Sequence, residues 1–421
     1  MRILYTFLLY LLTPFVLLRL LWRSRALPAY RQRWGERFGF VVRPAAPIAV
    51  WVHAVSVGET LAAVPLIRSL IARHGVGRIW VTTTTPTGSE RVQQLFGAEV
   101  MHTYAPYDLP DVVARFLASV QPARIVVMET ELWPNLLRAA KRRRIPLTIV
   151  NARLSPRSFK GYSKVAGFAR RTLADAAHVA AQSQADAERF RELGAPRVSV
   201  MGNIKFDQQL PPAQIALGRA LRKRLGTRPV WIAASTHEGE DELLLAAHRE
   251  LLCRHADAAL LLVPRHPQRF DTVARLVEKH RFSLQRRSVL GALDGDIAMI
   301  DAQVLLGDSM GELFAYFAAA DVAFVGGSLV PIGGHNVLEP AALGLPVLFG
   351  PHMHNFVAAR DLLLAAQAGI EVSAASLSGN LGVLLDDPVR RSTIGAAGFA
   401  VVEANRGALQ KLLAAIGEAS S

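Results

Sequence analysis

Thiols and acidic residues are scarce in this chain of 421 residues. Its one cysteine, Cys253, excludes an internal disulfide and fits a reducing compartment. A lone thiol more often fills a core than does chemistry, so it is given no role. Against 48 Lys and Arg stand only 34 Asp and Glu, a formal net charge of +14 carried mostly by arginine. Such an excess points to an anionic partner: nucleic acid, an acidic membrane face or a phosphorylated substrate. Generic nucleotide fingerprints are missing too, since neither GxGxxG nor a Walker A run occurs. No signature of an RNA- or DNA-binding module is present, and there is no short repeat or low-complexity block. His352 and His354 are closely spaced, but no Cys or acidic cluster accompanies them, which argues against a metal site. "KRRR" (141–144) reads as a solvated helix end.

What is present is apolar and regular. Half of the residues are hydrophobic, which makes the body globular. The length suits two domains, because single cores rarely grow past about 250–300 residues. At the N-terminus "ILYTFLLYLLTPFVLLRLLW" (3–22) holds no acidic residue and is near the roughly 20 residues needed to span a bilayer. Thr13-Pro14 and Arg19 weaken it as a span. A signal peptide puts its charges before the apolar run. Here they follow it, at Arg23, Arg25, Arg31, Arg33, Arg37 and Arg43, so the positive-inside rule keeps the rest of the chain in the cytoplasm. A membrane anchor or interfacial helix is expected over a buried N-terminal helix, because the basic follow-on matches anionic headgroups.

From residue 48 onward, short apolar runs alternate with helical patterns. "IAVWVHAV" (48–55), "RIWVTTT" (78–84), "RIVVMET" (124–130), "PLTIVNAR" (146–153), "HVAAQS" (178–183) and "RVSVMGN" (197–203) read as strands. "KFDQQLPPAQ" (205–214) breaks the pattern like a linker. The alternation then restarts with "PVWIAAST" (229–236), "AALLLVPRHP" (258–267), "AQVLLGD" (302–308), "VAFVGG" (322–327) and "LPVLFGP" (345–351). Continuous apolar strands joined by amphipathic helices predict parallel sheets covered on both faces. The expected fold class is α/β, two Rossmann-like doubly wound domains in tandem with a cleft between them. The expected boundaries are an anchor helix at 1–24, a first domain at 25–206, a linker at 207–215 and a second domain at 216–400. A last helix at 401–421 is expected to cross back to the first domain.

Ligands of such sheets bind beyond the carboxyl ends of the strands. In the first half these ends carry Gly58 and Glu59 of "HAVSVGET", the hydroxyls of "TTTTPTGSE", Glu129 and Glu131 of "METELWPN", and Arg153 and Arg157. A carboxylate in a first helical turn can be a mere dipole partner, worth about 0.3–1 kcal/mol, or a general base. Two acidic and two basic strand ends together exceed what packing requires. In the second half the ends carry Ser235, Thr236 and His237, then Arg265, His266 and Arg269, then Ser309 and Glu312. The last is "GGSLVPIGGHNVLEP" (326–340), a strand-glycine-helix layout with the exposed N–H groups and low bulk that a phosphate needs. Asn336 and Glu339 have capping-box spacing, and Glu339 is also placed to hold a ribose diol.

The ordered series "HAVSVGE", "TTTTPTG", "ETELWPN", "NARLS", "GNIKFD", "VPRHPQR", "GDSMGEL", "GGSLVPIGGHNVLEPAALGLPVLFGP" and "HNF" resembles the motifs of the lipid A-specific 3-deoxy-D-manno-octulosonic acid (Kdo) transferases. That resemblance implies a GT-B glycosyltransferase on the cytoplasmic face of a Gram-negative inner membrane, against an anionic membrane surface. It implies transfer of Kdo from CMP-Kdo to a tetraacylated, bisphosphorylated glucosamine disaccharide, the lipid A precursor, with inversion and with no cofactor, no active-site metal and no nucleic acid. Glu59 would be the general base, with Glu131 and Lys205 near the reacting centre. Ser235, Thr236, Arg265, His266, Met310, Gly311, Gly333, Gly334, Asn336 and Glu339 would hold the donor. Ser56, Gly58, Thr85, Gly88 and Arg153 would face the acceptor. The rivals are a membrane GT-B enzyme using a UDP-sugar and a non-catalytic, membrane-tethered nucleotide-binding protein. Donor choice separates the first, and indifference of activity to loss of Glu59 the second.

Overall fold

The computed structural model describes every residue except 26, 208–209, 292–298 and 419–421. The chain forms two compact units, one of residues 1–207 and 405–421, the other of 208–404.

The first unit is built on a seven-stranded sheet of β1 (Val50–His53), β2 (Ile79–Thr83), β3 (Met101–Tyr104), β4 (Arg124–Met128), β5 (Leu147–Ala152), β6 (His178–Ala181) and β7 (Val198–Val200), in the order β3-β2-β1-β4-β5-β6-β7. Each pairing is parallel. Val50 is in register with Ile79 on one side and Arg124 on the other. The pleat sends successive side chains to opposite faces. Val50 and Val52 therefore join one core with Leu66 and Ile67, and Trp51 joins the other with Trp80 and Phe116. Burial on both faces is why these strands read as unbroken apolar runs.

Two terminal helices belong to this unit. The helix Ala408–Ala415 packs Leu412 and Leu413 into the core that holds Val50. The Asp207 carboxylate accepts the N–H groups of Gly407 and Leu409 at 2.6 and 2.5 Å. Beyond the helix, buried Glu418 meets His74 at 3.1 Å and Arg124 at 3.4 Å. The N-terminal helix Arg2–Arg23 docks through polar side chains: Arg2 on Asp175 (2.9 Å), Tyr5 on Asp108 (2.9 Å), Thr6 on Asn135 and Tyr10 on Asp111. Its apolar side chains face outward, with Phe7 and Phe15 each 63% exposed. Among the described residues it is the one helix long and apolar enough to cross a membrane.

The second unit holds β8 (Val230–Thr236), β9 (Ala259–Pro264), β10 (Leu284–Arg286), β11 (Val304–Leu306), β12 (Val322–Val325), β13 (Val347–Phe349) and β14 (Gly369–Glu371). Their order is β10-β11-β9-β8-β12-β13-β14, again parallel throughout.

Several local expectations need correction. Strands β3, β10 and β14 are absent from the sequence reading; β3 and β10 carry polar residues such as His102 and Gln285, and β10 and β14 are three residues long. The helix Pro212–Leu225 begins inside the supposed linker, because Pro at the first helical position costs nothing where the N–H is unpaired anyway. Residues 208–209 of that linker lie outside the described residues. The last helix, expected at 401–421, is instead Ala408–Ala415; the helix before it, Pro388–Ala404, runs past residue 400, and Gly407 with φ 90° stands at the start of the last one. Cys253 fills no core; it is exposed at the end of the helix Asp241–Leu252.

Candidate active site

The strand order reverses between β1 and β4 in the first sheet and between β8 and β12 in the second, and those are the points where a crevice opens at the carboxyl ends. In the first unit Ser56 is the N-cap of the helix Val57–His74. Its hydroxyl accepts the Glu59 N–H at 3.2 Å and donates to Glu59 Oε1 at 3.0 Å. Glu59 Oε2 accepts the Val55 N–H at 2.8 Å. Gly58 lies between them in the same turn. The cap thus fixes the carboxylate at the mouth of β1, where burial pushes it up to about 7. The Val55 and Ser56 hydrogen bonds oppose that shift, while Glu129 and Glu131 add to it.

Glu129, the residue after β4, lies in the left-handed region, φ 55°, and so does Asn151 within β5, at φ 51°. Non-glycine residues hold such backbone only when their surroundings force it, and they gather at functional sites. Glu131 Oε2 accepts the indole N–H of Trp133 at 2.7 Å. Thr130 donates to the Arg153 carbonyl, which joins the ends of β4 and β5. Lys205 sits in the short turn Ile204–Phe206, where the Asn203 side chain accepts its N–H at 3.0 Å. Burial holds the Lys205 ammonium below the usual lysine range; Glu129 opposes this and Arg153 adds to it. The fold therefore brings Glu59, Glu131, Lys205 and Arg153 to the carboxyl end of one sheet. Thr85 caps the helix Pro86–Phe96 by accepting the Gly88 N–H at 3.2 Å.

In the second unit three histidines meet at the ends of β8, β9 and β12. His237 and His335 face each other Nε2 to Nε2 at 2.8 Å, and the His266 ring lies edge-on to His237 at 5.4 Å between centroids. Burial holds all three below the usual histidine range, and His335 falls to about 3. Arg265 is exposed beside them, with no ion-pair partner among the described residues. Ser235 has φ 59°. Met310 is exposed, and Gly311 at φ 82° has open space around it.

Three donor-site expectations change. The Thr236 hydroxyl is buried and spent on Asp241 at 2.6 Å, so that side chain braces the turn and faces no ligand space. The N–H groups of Gly333 and Gly334 both go to the Gly327 carbonyl, at 3.1 and 2.7 Å. A Cβ at Gly333 would stand 2.3 Å from Asn355 Nδ2, and one at Gly334 2.2 Å from Met353 Sδ. These glycines give clearance to residues 353–355, and no free N–H remains on them for a phosphate. Asn336 stands one position before the N-cap, Val337; its side chain accepts the Leu338 N–H at 3.1 Å and its amide donates to the Glu339 carboxylate at 3.1 Å. The Ser309 hydroxyl donates to Glu312 at 2.5 Å, ahead of the helix that starts at Leu313.

The residue that sequence reasoning missed is Glu240. It is fully buried. One carboxylate oxygen accepts the N–H groups of His237 and Gly327 at 3.0 and 2.6 Å, and the other those of Ser328 and Leu329 at 3.0 and 2.9 Å. Four backbone donors from two strand ends converge on one anion, which locks the glycine loop to the end of β8. Only the pairing of β8 with β12 brings these segments together, so nothing local in the sequence signals it.

Two parallel doubly wound units, the first with an acid-base cluster and the second with an Arg-His cluster at the switch point, define the GT-B class. Solved structures of that class are similar in fold: a UDP-GlcNAc 2-epimerase from Neisseria meningitidis (TM-score 0.54, 15% identity, 87% of this chain and 100% of that one) and MurG from Acinetobacter baumannii (TM-score 0.53, 12% identity, 89% and 100%). Residues 32–208 match the family model of 3-deoxy-D-manno-octulosonic-acid transferase (kdotransferase). The chain is 43% identical to a 3-deoxy-D-manno-octulosonic acid transferase of Haemophilus influenzae, over 98% of this chain and 97% of that one. It is 40% identical to one of Bordetella pertussis, over 90% of each. The chain belongs to the Kdo transferase family of glycosyltransferases.

Proposed function

We propose that the chain transfers Kdo from CMP-Kdo to a tetraacylated, bisphosphorylated glucosamine disaccharide, the lipid A precursor, with inversion at the anomeric carbon. The reaction takes place on the cytoplasmic face of the inner membrane of a Gram-negative bacterium. Glu59 carries this reading: it is a buried carboxylate, held by Ser56 and Val55, whose proton affinity lies near neutrality. A general base works best when its pKa is near the working pH.

The acceptor hydroxyl gives its proton to Glu59 as its oxygen bonds to the anomeric carbon. The bond from that carbon to the CMP phosphate oxygen breaks, and the electron pair leaves with the phosphate. The centre passes through an oxocarbenium-like state, in which Glu131 and the Kdo carboxylate offset positive charge. Lys205 holds the Kdo carboxylate. Arg265, with His266 beside it, meets the charge on the departing phosphate, and the Glu339 carboxylate holds the ribose. Charge stabilisation from these side chains makes the reaction metal-independent. The basic surface suits both a bisphosphorylated acceptor and an anionic leaflet.

The deciding experiment supplies the acceptor with CMP-Kdo or UDP-N-acetylglucosamine, in excess chelator, and analyses the product by mass spectrometry. A Kdo adduct from CMP-Kdo, lost in Glu59→Gln with CMP binding kept, is expected. Turnover of the UDP-sugar alone would overturn the donor assignment, and unchanged activity of Glu59→Gln would overturn the base.

A further inference from the structure

The helix Pro134–Arg142 and the residue after it carry a cationic stripe that the chemistry above does not use. Arg138 and Arg142, at i and i+4, lie on one side of the helix, and Arg143 follows as its C-cap. With Arg2 they line a groove of about 640 Å³ whose opposite wall includes Ile3 and Phe7 of the N-terminal helix. The groove has a fixed shape, because Tyr5, Thr6 and Tyr10 hydrogen-bond to Asp108, Asn135 and Asp111 and hold that helix in place.

Its charge is not neutralised from within. Asp175 is the carboxylate that reaches the stripe, and it is shared by Arg2 at 2.9 Å, Lys141 at 3.3 Å and Arg138 at 3.7 Å. Asp108 is occupied by Tyr5 and by the N–H groups of Asn135 and Leu136, and Asp111 by Tyr10 and Arg115. Arg143 donates to the Ala114 carbonyl. The Arg142 side chain has no ion pair or hydrogen bond among the described residues. Beside these cations Ile3 is 88% exposed and Phe7 63%.

A soluble anion would match the arginines but not the apolar wall. A membrane lipid with an anionic headgroup has both halves. We propose that this groove binds a single anionic phospholipid of the membrane, its phosphate on Arg138 and Arg142 and an acyl chain along Ile3 and Phe7. The site rests on the reading of the N-terminal helix as a membrane element, and it makes the attachment selective for anionic lipid. Cationic side chains at an anionic surface and an apolar helix face act together in such binding.

The test is flotation of the full chain with vesicles of phosphatidylcholine alone and of phosphatidylcholine containing phosphatidylglycerol. Arg138→Gln/Arg142→Gln is compared with a charge-matched control, Arg219→Gln/Arg275→Gln, at exposed positions of the other unit. Wild type and control should prefer the anionic vesicles by about tenfold. The groove variant should lose that preference while keeping its binding to phosphatidylcholine. Equal loss in both variants would mean diffuse charge alone and overturn the site, as would a wild type without preference. A wild type that binds neither vesicle would instead sink the membrane reading itself.

Discussion

Glu240 accepts the N–H of Gly327 at 2.6 Å from the far side of a strand pairing, and with it the N–H groups of His237, Ser328 and Leu329. Each carboxylate oxygen serves two donors. In Glu240→Gln an NH2 group must replace one oxygen and face two N–H groups, leaving buried donors unpaired. That costs about 2–3 kcal/mol, a fall in Tm on the order of 5–10 °C for a unit of this size. Because the loop carries His335 and leads to Glu339, CMP affinity should fall about tenfold even at temperatures where the variant stays folded. Calorimetry and CMP titration check both, and a destabilised variant with unchanged CMP affinity would reduce Glu240 to a structural brace.

Glu59 should leave two signatures in pH. Its folded pKa, about 7, lies above the usual 4.5, so the native state holds the proton more tightly than the unfolded chain does. This group's stabilising contribution is complete below about 4.5 and is lost as pH rises through 7. Glu59→Gln has no such loss, so its Tm relative to wild type should climb over that window and level off above it. Activity runs the other way, because the base must be ionised. Wild-type kcat/KM should rise through about pH 7, and Glu59→Gln should lower it by about 10²–10⁴-fold. A wild-type profile flat from pH 5.5 to 8 would remove Glu59 from the role of base.

Gly333 and Gly311 make a matched comparison. Both have positive φ, 113° and 82°, but a Cβ at Gly311 meets open space while one at Gly333 runs into Asn355 and His354. Gly311→Ala should therefore cost only backbone strain, about 1–2 kcal/mol. Gly333→Ala should cost clearly more, because the Asn355 side chain that must yield also donates to the Ile332 carbonyl. Equal melting temperatures for the two variants would show that the loop can open without penalty.

The legible part of this chain was its buried part. Strands such as β1 and β8 are covered on both faces, so their apolar runs carry the whole signal. Edge strands β10 and β14 have neighbours on one side only, and polar residues such as Gln285 and Glu371 hide them. At the site, Glu59 and Glu131 were legible as strand-end positions because each follows a strand, whereas Lys205, in a run that read as linker, entered only through the family resemblance. The glycine pairs were legible as a special loop, but not as one whose N–H groups at Gly333 and Gly334 are already satisfied. That depends on Gly327, six residues before Gly333, and on residues 353–355, which meet it only after β12 and β13 pair. Pro211-Pro212 misled for a local reason, since proline marks a helix start as readily as a linker.

The histidine pair gives the last prediction. At 2.8 Å between Nε2 atoms, one ring must donate and the other accept, so the two facing nitrogens share one proton. A second proton would set two N–H groups against each other. Burial, foremost, and then Arg265 hold His335 at about 3, and burial also lowers His237. The unfolded chain therefore takes up protons below about 6.5 that the native pair refuses. Its stabilising contribution is present above that pH and is lost as pH falls toward 3. In His335→Gln the carboxamide oxygen can still accept from His237, but the side chain does not titrate in that range. The variant should keep the Tm of wild type near pH 8 to within a few degrees and lose less of it between pH 6.5 and 4.5. Parallel Tm curves for the two proteins over that interval would show that the pair takes up its second proton without cost.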